Sequence, residues 1–332
     1  MLETLLAEGR PLLADGATGT TLFAMGLTSG DNPELWNALH PDRILALHQG
    51  FVEAGSDIIL TNSFGGNRRR LMLHQLEGRA RELNRLAARI ARSAADRAGR
   101  PVVVAGSVGP TGDLLAPLGP LDPDDACAAF AEQIEALKEG GADVVWIETM
   151  SAPEEMRAAA RAAASLDMPY TVTASFDTAG KTMMGLAPGE LAALADGLDP
   201  PPLAFGANCG VGAADLVMSV AAMIDAAPAA MVIAKANAGI PQWRGAHIHY
   251  SATPALMADY ARLAVDAGAR IVGGCCGSTA AHVAAMRRAI DRHQRGPRPD
   301  LAGVIAALGP LAAPPSTAAG RSRARRRDRA AS

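Results

Sequence analysis

Aromatic residues, cysteines and long apolar runs are all scarce in this sequence of 332 residues. Phe, Trp and Tyr make up only 4% of the chain although 49% of it is hydrophobic, so a large core must be built mainly from aliphatic and small side chains. Four cysteines are too few for a disulfide framework at this length, and the adjacent pair Cys275 and Cys276 suits a reducing compartment. The composition indicates an ordinary soluble globular protein, which we predict to be cytoplasmic.

The sequence also lacks the features of secreted, membrane-bound and nucleic-acid-binding proteins. Residues 1–8 carry Glu3 and Glu8 where a signal peptide needs bases, and the apolar run 216–224 is only nine residues long. The net charge is -3, and residues 311–332 contribute +5 through six Arg and one Asp, which leaves -8 on the preceding body. A body this acidic is a poor surface for nucleic acid. We therefore predict neither a nucleic-acid partner nor a membrane partner.

Short apolar runs alternate with Ala-rich amphipathic stretches eight times along the chain. Runs without charged residues are typical of strands that are buried on both faces. The alternation predicts a (β/α)8 TIM barrel in a single domain over residues 1–295, with a doubly wound open sheet as the alternative. Residues 296–332 lose this periodicity and are rich in Ala, Pro and Arg, so we predict a disordered tail there. The predicted strands are residues 12–14, 58–61, 102–105, 144–148, 170–175, 203–208, 231–234 and 271–274.

Polar residues fall directly after these predicted strands. In a (β/α)8 barrel the carboxyl ends of the strands carry the catalytic groups, so these residues are the candidates for chemistry. They are Asp15, Thr61, Asn62, Ser107, Thr111, Glu148, Ser175, Asp177, Asn208, Cys209, Asn237, Cys275 and Cys276.

Three cysteines stand at the ends of two strands that a closed barrel separates by a single strand. Cys209 follows the sixth predicted strand, and Cys275 and Cys276 follow the eighth, so the three thiols can converge without a local C-x-x-C motif. Three thiolates leave one tetrahedral position open, which is the arrangement of a catalytic zinc site. Such a zinc ion is a weak Lewis acid for water, but it accepts a fourth thiol as a nucleophilic thiolate. The alternative is that all three are buried cysteines at strand ends.

Asn208-Cys209-Gly210 and the later Gly273-Gly274-Cys275-Cys276-Gly277 together resemble the homocysteine S-methyltransferase family. This family comprises zinc barrels that include betaine-homocysteine methyltransferase and the homocysteine-binding module of cobalamin-dependent methionine synthase. The resemblance runs from residue 15 to about residue 294. The other matching stretches are Asp15-Gly16-Ala17-Thr18-Gly19-Thr20, Thr61-Asn62-Ser63-Phe64-Gly65-Gly66-Asn67, Gly106-Ser107-Val108-Gly109-Pro110-Thr111-Gly112, Glu148-Thr149 and Asn237-Ala238-Gly239.

The resemblance implies a site for Zn²⁺ and for homocysteine, whose sulfur would take the open zinc position. The implied zinc ligands are Cys209, Cys275 and Cys276. By the same resemblance, Glu148 and Asp15 would hold the ammonium group of homocysteine, with Thr61 and Ser107 among the donors near its carboxylate. Each acid also has a plainer interpretation as a capping or structural carboxylate.

The methyl donor is harder to assign because the sequence departs from the betaine-using members. Those members carry a Trp before Thr-Pro-Glu and a Tyr after the Phe that follows the second strand, since aromatic faces hold a quaternary ammonium. Here Asp31 precedes Asn32-Pro33-Glu34, and Gly65 follows Phe64. Residues 61–67 are closer to the methionine synthase module, which receives its methyl group from methylcobalamin, yet the chain lacks the length for folate and cobalamin modules. We predict a methylcorrinoid on a separate corrinoid protein as the donor.

Three alternatives stay open. Betaine or S-methylmethionine would be the donor if Trp36, Phe176, Trp243 or Tyr250 built an aromatic cage. A non-catalytic subunit of a split methionine synthase would use the same binding residues. A hydrolase would need a positioned base beside its nucleophile, and no His closely follows the sixth or the eighth predicted strand.

Overall fold

The computed structural model describes residues 1–240, 242–244 and 247–312, with residues 242–244 and 247–249 as backbone only. Eight parallel strands form its central sheet: β1 (Leu12–Leu13), β2 (Ile58–Leu60), β3 (Val103–Val108), β4 (Val144–Met150), β5 (Tyr170–Ala174), β6 (Ala204–Cys209), β7 (Val232–Ala236) and β10 (Ala269–Gly274). Their order is β1-β10-β7-β6-β5-β4-β3-β2, and a parallel bridge between Ala14 and Ile58 joins the two ends of that order. This nearly closed ring confirms the predicted (β/α)8 TIM barrel. The short strands β8 (Gln242–Arg244) and β9 (His247–His249) pair antiparallel outside the barrel.

Helices connect successive strands and pack around the ring, as right-handed parallel crossovers require. They are α1 (Leu2–Ala7), α2 (Thr18–Ala24), α3 (Trp36–Leu39), α4 (Pro41–Glu53), α5 (Arg68–Leu71), α6 (Ala80–Asp96), α7 (Pro123–Glu139), α8 (Pro153–Ser165), α9 (Pro188–Asp196), α10 (Ala213–Ala226), α11 (Pro254–Ala267), α12 (Ala280–Arg292) and α13 (Leu301–Leu308). Three single 3₁₀ turns lie at Pro33–Leu35, Met72–His74 and Glu77–Arg79. Pro in the first turn begins α4, α7, α8, α9 and α11, where its missing N–H costs nothing.

Two apolar layers hold the barrel together. The inner layer fills the ring with side chains such as Trp146, Ile233 and Ile271, and the leucines of α1 pack onto it. The outer layer lies between the strands and the helices and contains many small alanine side chains, which allow close helix–strand packing. The scarcity of aromatic residues therefore matches a core built from aliphatic and small groups, as the composition predicts. No helix in the described ranges combines the length and apolar character needed to cross a membrane.

Two helix-to-strand joints share one hydrogen-bond pattern. The Asp57 carboxylate, just before β2, accepts the backbone N–H of Leu13 at 2.8 Å, and Asp143, just before β4, accepts that of Val104 at 2.8 Å. Asp57 also pairs with Arg10 and Arg287. These acids fix the start of one strand against its neighbour, at the end of the barrel opposite the strand carboxyl termini.

The ordered chain extends beyond the predicted end of the barrel at residue 295. Helix α13 packs against the barrel through Val304, which is fully buried. Arg298 reaches Asp225 of α10 with an Nη2–Oδ2 distance of 2.7 Å. The predicted disordered tail is therefore wrong for residues 296–312, because a short apolar helix there gains its stability from tertiary burial. The rest of that prediction, residues 313–332, lies outside the described residues.

Candidate active site

A cavity of about 350 Å³ opens at the carboxyl-terminal end of the barrel strands. Its wall is built from the ends of β2, β3, β4, β6, β7 and β10 and from the segments that follow β1 and β2. Six of the seven site residues predicted from the sequence line this cavity: Thr61, Ser107, Glu148, Cys209, Cys275 and Cys276. Asp15 lies beneath it, fully buried. The barrel thus brings most of the predicted residues into one concave site.

The structure brings the three cysteine thiols together. All three sulfur atoms lie within 4.8 Å of one another, and Cys209 Sγ is 4.0 Å from Cys276 Sγ. Cys209 is the last residue of β6, and its backbone is left-handed (φ 61°). This conformation sets the direction of its side chain at the rim of the barrel. Gly277 follows the pair with φ 79°, and a Cβ there would stand 2.4 Å from Tyr250. This tight turn after β10 holds Cys275 and Cys276 facing Cys209.

The chemistry and spacing of the three thiols fit a divalent metal ion. Hydrogen bonds with Cys209 and then Cys275 lower the pKa of the Cys276 thiol to about 3, whereas hydrogen bonds with the other two cysteines raise the pKa of Cys209. One thiolate is therefore stabilised by two thiols, and full ionisation of all three needs a positive charge among them. Tetrahedral zinc with bonds near 2.3 Å places its sulfur ligands about 3.8 Å apart. The observed spacing suits that ligand set.

Asn208 ties this cluster to the neighbouring strand end. Its Oδ1 accepts the backbone N–H of Thr149 at 2.8 Å and the hydroxyl of Thr173 at 2.7 Å, and its Nδ2 donates to Thr149 Oγ1 at 2.7 Å. Nδ2 also lies 3.9 Å from Cys275 Sγ. Thr149 adopts φ 60°, an unfavourable backbone conformation for a β-branched residue. Asn208 thus stabilises the strained residue that follows Glu148 in β4 while contacting one of the thiols.

Glu148 is the acid that faces the cavity. Its side chain is almost completely buried, and Oε1 accepts a hydrogen bond from the Ser107 hydroxyl. Burial raises the pKa of the Glu148 carboxyl to about 7, and the charge of Lys235 opposes that rise. Glu148 is therefore a desolvated carboxyl, and a cationic ligand group would stabilise its charged form.

Asp15 is engaged in a buried ion pair with Lys235, a residue that the sequence reasoning missed. Asp15 Oδ1 is 2.6 Å from Lys235 Nζ, and Oδ2 accepts the backbone N–H of Leu60 at 2.7 Å. The charges of Asp15 and Glu148 raise the pKa of Lys235 against the effect of burial, so Lys235 is an ammonium. Its signal in the sequence was a single cation one residue beyond the predicted strand 231–234, at the barrel end where function is expected.

Thr61 and Ser107 have hydrogen-bond partners within the protein. Thr61 Oγ1 lies 2.6 Å from Ser63 Oγ and accepts the backbone N–H of Ser107 at 3.0 Å. The Ser107 hydroxyl is directed to Glu148. Both residues shape the cavity wall, and Ser107 orients the acid.

Among the described residues suggested for an aromatic cage, Trp36, Phe176 and Tyr250 do not line the cavity. Trp36 is buried under Arg43, whose guanidinium carbon is 5.0 Å from the ring centroid, and Phe176 is buried too. Tyr250 packs beside Gly277, and the side chain of Trp243 lies outside the described residues.

Phe64 and Glu34, two further residues, line the cavity wall. Glu34 is buried and accepts the backbone N–H of Gly65 at 2.6 Å. It is the second acid of the cavity, and the sequence reasoning gave it no role.

A (β/α)8 barrel with a cavity at its carboxyl-terminal face, lined by three thiols and a desolvated carboxyl, defines a TIM-barrel enzyme with a thiol-rich site. The chain belongs to the homocysteine S-methyltransferase family, whose family model matches residues 12–290. This family membership is the one that the sequence motifs predict.

Relatives and solved structures agree with this family. The chain is 30% identical over 306 residues to methionine synthase of Mycobacterium tuberculosis, and 30% identical over 316 residues to that of Mycobacterium leprae. These matches cover 87% and 90% of this chain but only 25% and 26% of those proteins, so the chain spans about a quarter of their length. The metallated form of the homocysteine methyltransferase MmuM from Escherichia coli superposes with a TM-score of 0.72 at 26% identity, over 86% of this chain and 99% of that one.

Proposed function

We propose that the chain is a zinc-dependent homocysteine S-methyltransferase that forms methionine, with a methylcorrinoid on a separate protein as the methyl donor. The observation that carries the proposal is the convergence of Cys209, Cys275 and Cys276 within 4.8 Å, in a cavity that Glu148 also lines. The metallated state of the structurally similar MmuM supports the metal part of the proposal.

The three cysteines would hold the zinc ion. When bound, zinc would supply a positive charge that keeps the thiol of homocysteine deprotonated near neutral pH, where a free thiol is mostly protonated. Asn208 orients this site from the side by contacting Cys275 Sγ, and the positive-φ turns at Cys209 and Gly277 fix the directions of the thiols.

The amino-acid end of homocysteine would be held by Glu148. Of the two acids that the resemblance implies, Asp15 already has Lys235 and the Leu60 amide on its two oxygens, whereas Glu148 faces the cavity. An ammonium group beside Glu148 would stabilise the ionised carboxylate that burial disfavours. Asp15 would therefore hold Lys235 in position, and Ser107 would orient Glu148 through its hydrogen bond to that carboxyl.

The transfer is an in-line displacement. The sulfur lone pair of the homocysteine thiolate forms the new bond to the methyl carbon, and the donor leaves with the electrons of the broken bond. A fixed sulfur and a fixed donor direction make this step effectively unimolecular. The residues of the cavity would supply that orientation and exclude bulk water.

The surface around the cavity favours a donor that arrives on a protein. Twelve large hydrophobic side chains are exposed in the described parts of the chain, and nine of them lie between a barrel strand and the long helix after it. We call these nine the apolar rim: Phe23, Leu39, Phe64, Met72, Leu73, Leu114, Leu118, Met183 and Ile240. Exposed apolar residues gathered on one face are typical of interaction surfaces. We propose that the apolar rim receives this donor protein.

A small cationic donor, betaine or S-methylmethionine, is the second candidate. Glu34 and Phe64 favour it, because a buried carboxylate and an aromatic side chain in the cavity wall suit an onium group. A cavity of about 350 Å³ also has room for a second small molecule beside homocysteine. A non-catalytic binding subunit would have the same cavity but would show no turnover with any donor.

One set of assays tests these proposals. Zinc content and methionine formation are measured for the wild type, Cys209→Ala and the double variant Cys275→Ala/Cys276→Ala, with Cys127→Ala as the matched control outside the site. We expect the site variants to lose zinc and activity while the control keeps both. Each chain is assayed with homocysteine plus methylcobalamin, betaine or S-methylmethionine, with and without a corrinoid protein. Full zinc and full activity in the site variants would contradict the assignment, and the donor that supports turnover decides between the candidates.

A further inference from the structure

Lys235 is a buried cation whose side chain fits into a space in the barrel interior. Its neighbours on β7 are apolar, and its side chain runs through the barrel interior to Asp15 at 2.6 Å, with Nζ 5.9 Å from the centroid of the Trp146 ring on β4. Gly273 lies opposite Lys235 in the β7–β10 register, and a Cβ there would come 3.1 Å from Lys235 Cγ. The absence of a side chain at Gly273 thus admits the lysine, and Asp15 anchors its charge.

The ammonium of Lys235 has more N–H donors than its hydrogen bond to Asp15 uses. The side chain is only 2% exposed, and it lines the cavity. An ammonium has three N–H donors, and among the described residues Asp15 accepts a hydrogen bond from Nζ. A buried cation is costly unless its donors are used. The remaining hydrogens therefore favour an anionic group inside the cavity.

Glu148 faces the same cavity with the opposite charge. Trp146 and Glu148 are alternate residues of β4 and lie on one face of the strand, so the ammonium near the Trp146 ring is on the side of Glu148. Oε1 of Glu148 accepts a hydrogen bond from the Ser107 hydroxyl, and Oε2 has no hydrogen-bond partner within the described residues. A cavity floor with one acid and one ammonium suits an α-amino acid, which carries a cation and an anion on one carbon.

We propose that Lys235 binds the α-carboxylate of the amino-acid substrate, beside Glu148 at its ammonium group, and that this pair selects a zwitterionic thiol. The inference rests on the proposed function, because it concerns the same cavity and the same substrate. Lys235 would then be a specificity-determining residue, held in place by Asp15 and by the space at Gly273.

The test measures equilibrium binding of thiols to the zinc-loaded protein, so that the identity of the methyl donor does not matter. Isothermal titration compares homocysteine with 3-aminopropane-1-thiol, which lacks the carboxylate, and with 4-sulfanylbutanoate, which lacks the ammonium. We expect the wild type to prefer homocysteine over 3-aminopropane-1-thiol by about 100-fold, and Lys235→Met to lose most of that preference with zinc content unchanged. Glu148→Gln is the matched control, and it should lose the preference over 4-sulfanylbutanoate instead.

A second variant guards against misfolding, because Lys235→Met leaves Asp15 buried without its partner. The double variant Asp15→Asn/Lys235→Met replaces the ion pair by neutral groups of similar size and should show the same loss of preference. A preference for homocysteine that both variants retain would overturn this inference while leaving the proposed function intact. A wild type that binds none of the three thiols would overturn the proposed function, and this inference with it.

Discussion

Among single residues, Glu148 couples the site to the stability of the fold. Burial raises the pKa of its carboxyl from the ordinary value of 4.5 to about 7. A group with a raised pKa in the folded state binds its proton more tightly there, so its stabilising contribution is complete below pH 4.5 and is lost as the pH rises through 7. The ionised carboxylate that would bind the substrate ammonium is thus maintained above pH 7 at a cost to stability.

Replacement of Glu148 should therefore stabilise the zinc-free protein in a pH-dependent way. We expect Glu148→Gln to have a free energy of unfolding about 3 kcal/mol above that of the wild type at pH 8, with the difference vanishing near pH 4. Urea unfolding between pH 4 and 8 measures it, and the exposed Glu154→Gln serves as the control with no difference. A constant difference at every pH would mean that Glu148 does not have a raised pKa.

Asn208 should matter for metal binding although it is not one of the cysteines. Its side chain holds Thr149 in a strained conformation and contacts Cys275 Sγ. Residues that orient metal ligands typically contribute 10- to 100-fold in affinity, so we expect Asn208→Ala to lower zinc affinity by about 30-fold in a chelator competition. Thr173→Val removes one of the hydrogen bonds of Asn208 and should have a smaller effect. Equal zinc affinity in Asn208→Ala and the wild type would show that the amide has no role at the metal.

At the residue scale, local chemistry decided what could be predicted from the sequence. The cysteines were found because unusual groups at strand ends point to a barrel's functional face, and the structure does bring their thiols together. The Asp15–Lys235 pair was missed because its members are 220 positions apart, with no local pattern to link them. Glu34 was missed for a related reason: its place in the cavity depends on the fold of the long segment between β1 and β2.

Among the elements, the two helix-to-strand joints should differ in strength. Asp57 is buried and pairs with Arg10, Arg287 and the Leu13 amide, whereas Asp143 is partly exposed and binds Arg92 and the Val104 amide. We expect Asp57→Ala to lower the free energy of unfolding by about 3 kcal/mol, because it removes the buried carboxylate that Arg10, Arg287 and the Leu13 amide share. Urea unfolding should show a smaller loss for Asp143→Ala. The reverse order would mean that burial does not determine the strength of these joints.

The eight strand–helix units were predictable because each carries its own apolar period. The boundaries of the strands were less predictable than their existence. Strand β4 continues to Met150, past the predicted end at residue 148, because it pairs with β5 beyond a bulge. Helices α1 and α13 have no place in the eightfold alternation. Both are short, and their stability comes from burying leucines or Val304 against the barrel rather than from helix propensity.

For the whole molecule, the segment after residue 295 should act as part of the barrel. Val304 is buried against the body, Arg298 pairs with Asp225, and the Ala312 amide donates to Asp215. We expect a chain ending at residue 295 to unfold at a temperature about 3 °C lower than one ending at residue 312, since loss of about 2 kcal/mol shifts the transition of a domain of this size by roughly that much. Differential scanning calorimetry of the two chains measures this. Identical transitions would show that residues 296–312 contribute nothing to the fold.

The apolar rim makes the choice of donor testable on the whole molecule. Leu118 and Met183 are exposed members of the rim that follow β3 and β5, and neither lines the cavity. If the methyl group arrives on a corrinoid protein, a charge at these positions must be desolvated when that protein docks, which opposes association. We therefore expect Leu118→Glu and Met183→Glu to lower turnover with a methylated corrinoid protein by at least about tenfold, while turnover with any small donor that the wild type accepts stays unchanged.

Leu301→Glu is the matched control for the rim. Leu301 is an exposed apolar residue of α13, outside the segments that follow the barrel strands, so the same change there should leave turnover with both kinds of donor intact. Steady-state assays at several concentrations of corrinoid protein separate a docking effect, which higher concentration overcomes, from a damaged site. A rim variant that lowers turnover with small donors as much as with the protein-bound donor would mean that the rim shapes the cavity rather than a docking surface. The exposed apolar groups would then serve the small-molecule alternative, in which Glu34 and Phe64 receive the donor directly.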